Sequence, residues 1–164
     1  MTGTTIKVEG LVEVDAAVES LAQHAGDMRS LATAISTAWY VKEKGWLDSG
    51  GRGSFPGLTE EYAKTKAQKY GEQPILKASG AMDEALTGKD SPDSVYLVTE
   101  NELTVGVAGR SGQIASYHQK GEGNLPARHV YDDLIIDEFK SEELGLIAVG
   151  ELTEYARSIS LRVV

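Results

Sequence analysis

Hydrophobic positions along the chain follow first one period and then another. In residues 4–14, Ile6 and Val8 alternate with Lys7 and Glu9, the period-two pattern of a half-buried strand. Gly10 interrupts it, so residues 4–9 read either as an edge strand or as an arm that orders against a neighbour. From Asp15 onward Val14, Val18, Leu21, Ala25, Met28, Leu31, Ile35, Trp39 and Trp46 recur at spacings of three and four. That spacing places them on one face of a long helix over residues 15–45. Asp15 suits its start, Gly26 offers a bend and Gly45 a stop. About 30 residues at ~1.5 Å each make a rod of roughly 45 Å, long for a small domain and suited to a second partner along its side.

Residues 46–57 are rich in glycine and read as a mobile surface loop. They match neither a phosphate-binding loop ending in Gly-Lys-Ser/Thr nor a dinucleotide fingerprint. A helix is expected over 58–70, with Thr59 as N-cap, Glu60 and Glu61 in the first turn and Gly71 closing it. A shorter one is expected over 75–86, with Ile75, Ala78, Met82 and Leu86 facing inward. The clearest β signal follows, with residues 94–98 and 102–107 flanking a turn at 99–101 and Leu103, Val105 and Val107 alternating. After a turn at 109–112, residues 114–119 read as about one and a half helical turns. Residues 127–131 read as a further strand of the same sheet. The tail from Asp132 is acidic and helical, with Phe139, Leu144, Ile147, Ala148, Leu152, Tyr155 and Ile159 on one face, and residues 161–164 read as extended. The fold class expected is a single α+β domain: a small antiparallel sheet, made of the 94–107 hairpin with strands near 4–9 and 127–131, packed on the long helix.

Composition narrows the function. The 164 residues are 41% hydrophobic and 25% charged, with 25 acidic residues against 16 basic and a net charge of −9. Such a chain repels phosphate backbones and has no Lys/Arg cluster to offset that, which argues against direct nucleic-acid binding. An acidic wall past which DNA slides without sticking remains compatible. No apolar run approaches the roughly 20 residues of a membrane span, and the first residues lack the pattern of a secretion signal. Cysteine is absent, which removes disulfides, thiolate metal sites and cysteine nucleophiles.

Candidate chemistry concentrates in residues 117–131. Gly121, Gly123 and Pro126 give that stretch a defined backbone shape, and it carries His118, His129 and Arg128. His118 and Glu122, with His129 and Asp132, have the ligand types of a divalent metal site, so a small metal-dependent enzyme is one reading. Gly121 and Gly123 break the helix that would align His118 with Glu122, and no His-Glu-x-x-His spacing occurs. Ser79 sits in Ala-Ser-Gly, outside any nucleophile elbow. The balance favours a non-enzyme without cofactor or metal, whose residues Tyr117, His118, Gly121, Arg128, His129, Trp39 and Trp46 are candidates for an interface. A generic α+β adaptor for a soluble partner is a third reading.

Three segments, in this order, carry a resemblance. Pro56-Gly57-Leu58-Thr59 runs into Tyr62-Ala63-Lys64-Thr65-Lys66. Pro74-Ile75-Leu76-Lys77-Ala78-Ser79-Gly80-Ala81-Met82 precedes the hairpin. Tyr117-His118-Gln119-Lys120-Gly121-Glu122-Gly123 leads to Pro126-Ala127-Arg128. Together they resemble the bacteriophage virion morphogenesis family, the tail completion proteins of the phage Mu and phage P2 kind, and the wider group of small head–tail connector proteins. The likeness spans about half of the chain and rests on the order of the segments. Phe55 stands where the family usually has Trp, His129-Val130 where it has Pro-Phe, and the tail is longer and more acidic. The resemblance implies a structural virion protein at the neck or tail top, made in the bacterial cytoplasm. It implies a homo-oligomeric ring without cofactor, which joins tail to head, contacts connector, portal-side or tail-tube proteins, and meets DNA only as it passes through. A tail terminator capping the tail tube is the neighbouring possibility. Within that reading Tyr117, His118, Arg128 and His129 are expected to fix the loop against the sheet or the adjacent subunit, with a satisfied place within the chain's own fold the alternative for each.

Overall fold

The computed structural model describes residues 11–123 and 125–158. The elements in order are α1 (Leu11–Gly26), α2 (Met28–Asp48), α3 (Glu60–Tyr70), α4 (Ala81–Thr87), β1 (Ser94–Val98), β2 (Leu103–Val107), α5 (Gly109–Lys120), α6 (Asp133–Glu138), a π-helical turn (Phe139–Glu143) and α7 (Leu144–Ser158). The class is α+β. Helix α2 is the centre, packing against α1, α4, α6, α7, the π turn and both strands.

The single long rod is two helices. Asp27 is extended, at φ −108° and ψ 107°, and its carboxylate accepts from the Arg29 backbone N–H at 2.9 Å and from the Arg29 guanidinium. That is an N-cap for a new helix, so the break falls one residue after the expected bend at Gly26. At the other end α2 runs through Gly45 to Asp48. Trp46 and Leu47 are 5% and 2% exposed, and burying both offsets the roughly 1 kcal/mol cost of a helical glycine.

Helix α3 begins and ends as expected, with the Thr59 side chain accepting from the Tyr62 N–H and Gly71 closing it. The 75–86 helix is shorter than expected. Leu76 and Gly80 take left-handed φ values of 69° and 86°, so residues 75–80 form turns and α4 begins only at Ala81. Met82 and Leu86 are buried as expected, while Ile75 and Ala78 are half-buried.

The hairpin pairs Val98 with Leu103 and Tyr96 with Val105, antiparallel. Among the described residues the sheet has these two strands alone. The expected strand at 4–9 lies outside the described residues, as do Ile159 and the extended tail at 161–164. The expected strand at 127–131 does not form, because its backbone is already engaged. Arg128 N–H donates to His118 O at 2.7 Å, and Tyr131 N–H donates to the Gln119 side-chain oxygen at 3.0 Å.

Helix α5 starts earlier than expected, at Gly109, because a distant carboxylate caps it. Asp93 Oδ2, just before β1, accepts from the Ser111 N–H at 2.9 Å. A Cβ on Gly109 would lie 2.2 Å from Asp93 Oδ1, so only glycine lets the cap close. The acidic tail is helical as expected. Its π turn carries Phe139 edge-on against Trp39, with ring centroids 5.4 Å apart.

Residues 46–57 are also more built than a loose surface loop. Gly51 N–H donates to Trp46 O at 2.9 Å and Phe55 N–H to Gly50 O at 3.0 Å. Phe55 is 8% exposed and meets Trp46 edge-on at 5.8 Å between centroids. Arg52 forms a two-pronged pair with Glu138, at 2.7 and 2.6 Å, which ties this segment to α6.

Candidate functional site

The 117–131 stretch is assembled from the end of α5. Gly121 caps that helix in the left-handed conformation at φ 68°, its N–H donating to Tyr117 O at 2.9 Å. A Cβ there would lie 2.7 Å from the Ala127 backbone nitrogen, so the returning chain crosses where a side chain would stand. It then runs back beside α5 until Arg128 reaches the other glycine-rich segment. Arg128 is 3% exposed, and its Nε and Nη2 donate to Pro56 O and Gly57 O, both at 3.0 Å. Burial lowers the proton affinity of the guanidinium, and two carbonyl dipoles replace part of its lost hydration. Among the described residues α3 packs closely on no other helix or strand. Its approach is set by this clamp and by Lys66, whose ammonium donates to Gln73 O at 3.0 Å and to Pro74 O.

The remaining candidates fall into two groups. Trp46, Gly121 and Arg128 serve the chain's own packing: the Trp46 indole N–H donates to His129 O at 2.7 Å, and Val130 beside it is fully buried. Trp39, 9% exposed, belongs to the core. Tyr117 and His129 face outward. His118 is half-buried, with its Nδ1 buried and unpartnered. Burial, then the nearby Arg128 charge, lowers its pKa, so the ring is neutral at pH 7. The loop is thus fixed against α5 and the 46–57 segment rather than against the sheet.

The four residues of the metal reading go separate ways. Glu122 lies 3.5 Å from Lys120, Asp132 caps α6 by accepting from the Leu134 N–H at 2.9 Å, and His129 Nδ1 lies 3.5 Å from the Gln119 amide nitrogen. Among the described residues no group of three or more His, Asp or Glu is placed to hold a metal ion.

Two features were not anticipated. Glu43 in α2 is fully buried with both carboxylate oxygens unpartnered, and burial pushes its pKa up to about 8. The Tyr40 hydroxyl, also buried, is unpartnered too. Burial raises the Tyr131 phenol, with smaller contributions from Glu43 and Tyr40. The signal was in the chain: Ile35, Trp39, Glu43 and Trp46 continue one spacing of four, four and three, which puts a carboxylate on the apolar stripe.

The second feature is a groove of about 710 Å³ between α2, β2 and the α6–α7 segment. Ile35, Trp39, Leu103, Val105, Phe139 and Leu144 give it an apolar lining, while Glu102 and Lys140 stand at it as charged residues. Leu103, Val105, Gly106 and Val107 of β2 line it and none from β1 does, so it lies on the side of β2 away from β1. Elsewhere on α7, Leu146 and Val149 are 74% and 64% exposed. No helix among the described residues is long and apolar enough to cross a membrane. No family model, curated protein or solved structure matches the chain.

Proposed function

We propose that the protein is a structural subunit of a tailed-phage virion, a ring-forming head–tail connector or tail completion protein at the neck or tail top. The observation that carries this reading is the apolar groove beside β2, taken with the exposed Leu146 and Val149 on α7. A chain of net charge −9 that leaves such surface open has protein partners to cover it. The order of the three segments that resemble tail completion proteins points to what those partners are: copies of itself and the adjacent connector, portal-side or tail-tube proteins. In a closed ring each subunit offers two different faces to its neighbours, a heterologous contact that closes by rotation. The polar residues of the 117–131 stretch support the same reading, since Arg128 and Gln119 are engaged in holding backbone in place. Excess carboxylates facing a channel let DNA pass without being held.

Mass measurement in solution with negative-stain imaging tests this. Rings, or stacked rings when the purified protein is mixed with tail tubes, are expected. A chain that stays monomeric at all concentrations, alone and beside virion components, overturns it.

A further inference from the structure

We propose that the groove along β2 is the seat of residues 4–9 of a second copy of the chain, which add an edge strand to the hairpin. The inference deepens the ring-subunit reading and rests on it for the partner's identity.

The hairpin leaves the outer edge of β2 unpaired among the described residues, and a lone two-stranded sheet is marginal. An unpaired edge beside an apolar groove accepts an extended segment with apolar residues at every second position. Residues 4–9 have that pattern, with Ile6 and Val8 for the lining and Lys7 and Glu9 between them. Lys7 and Glu9 then point away from the groove, to the opposite face of the added strand.

The assigned donor is a neighbouring copy, since the helix that carries the chain's own segment makes no contact with β2 among the described residues. Only Gly10 separates Glu9 from Leu11, the first residue of α1, a reach of about 7 Å. Among the described residues α1 packs against α2 and α7 and meets neither β2 nor α6. Its later half is fixed at Tyr155: Ser20 Oγ lies 2.7 Å from the Tyr155 hydroxyl, and His24 stacks on the ring at 3.8 Å. Tyr155 stands about 16 Å along α7 from the groove residue Leu144, at ~1.5 Å per residue. Each copy would donate one segment and accept one, and such a head-to-tail exchange closes into a ring.

Two measurements test this on the full chain. The Ile6→Glu/Val8→Glu double variant is compared with wild type by light scattering after size exclusion, with circular dichroism to establish that it folds. The expected result is an oligomeric wild type and a folded variant whose association is at least tenfold weaker. Because the chain has no cysteine, a Val8→Cys protein can be mixed with a Val105→Cys protein under mild oxidation. A disulfide-linked pair of chains is expected. A wild-type ring that the double variant still forms, with no cross-link, overturns the strand exchange and leaves the ring reading standing. A wild-type monomer at every concentration, alone and beside tail tubes, overturns both. A Val8→Cys/Val105→Cys chain that closes on itself at high dilution overturns the exchange between copies. Dissociation by Leu161→Glu/Val163→Glu in place of the N-terminal variant overturns the choice of segment.

Discussion

The 117–131 stretch and the groove beside β2 both lean on α2, the first at Trp46 and the second at Trp39. Their chemistry is opposite. The stretch is dense in hydrogen-bonding groups, and its Arg128 and Gln119 side chains are directed at the chain's own carbonyls and amides. The groove is apolar and keeps its surface open. A buried cation such as Arg128 is tolerated only where fixed acceptors replace water, so its two carbonyl partners make the stretch a clasp. An open apolar surface beside a strand edge has no such closure among the described residues. Residues that look reactive in a sequence can therefore be spent on shape, while the open groove is lined mainly by apolar side chains.

Four substitutions probe that contrast. The largest effect is expected at Glu43, where the clasp side of α2 holds a carboxyl without partners. Its pKa is about 8 in the folded chain against an ordinary carboxyl value of 4.5. The neutral form is therefore favoured by folding, and this contribution is fully present below pH 4.5. It is lost as pH rises from there through about 8. Glu43→Gln should match wild type near pH 4 and exceed it at pH 9 by on the order of 3–5 kcal/mol, as denaturant titrations across that range would measure. Equal pH dependence in the two proteins would remove Glu43 from the account.

Arg128→Met comes next. It removes both bonds to the 56–57 carbonyls and should lower stability by about 3 kcal/mol. The Phe55 amide, bonded to Gly50 O in the same segment, should also lose protection from hydrogen exchange, and protection kept there would show that the clasp is not what holds the segment. Gly121→Ala should cost about 2 kcal/mol, from a left-handed alanine and the clash with Ala127, read as a lower thermal midpoint. The smallest effect is expected on the open side. Leu146→Gln should change the stability of the dissociated chain by no more than about 0.5 kcal/mol. A larger loss in thermal melts would mean that this face is packed within the subunit.

Much of the fold could be read from local pattern. The hairpin and the caps of α3 follow from residues adjacent in sequence, as does the helical tail. Two of the misreadings share one cause, which is that a distant group supplied what the local chain lacked. Asp93 caps α5 from before β1 and turned an expected turn into a helix. Gln119 takes the backbone bonds that would have made residues 127–131 a strand. Leu76 and Gly80, with their left-handed backbones, cut α4 short. At the candidate site the polar loop was conspicuous because histidine, arginine and glycine are distinctive letters. The groove was not, since its lining comes from several separate elements whose apolar residues each read as ordinary core. Glu43 lay in plain view on the stripe and was passed over because a carboxylate is usually assigned to the solvated side.

The Asp93 cap has one more consequence. A ribbon of two short strands has little to resist fraying, yet this one is fastened at its base to the first turn of α5, and Ala108 N–H closes the same junction onto Asp93 O at 2.7 Å. The ribbon cannot peel away without stripping the first turn of the helix of the Asp93 carboxylate, and the helix cannot unwind without loosening the ribbon. Hairpin and helix therefore open and close together, and a visiting strand would dock on a platform already braced from behind.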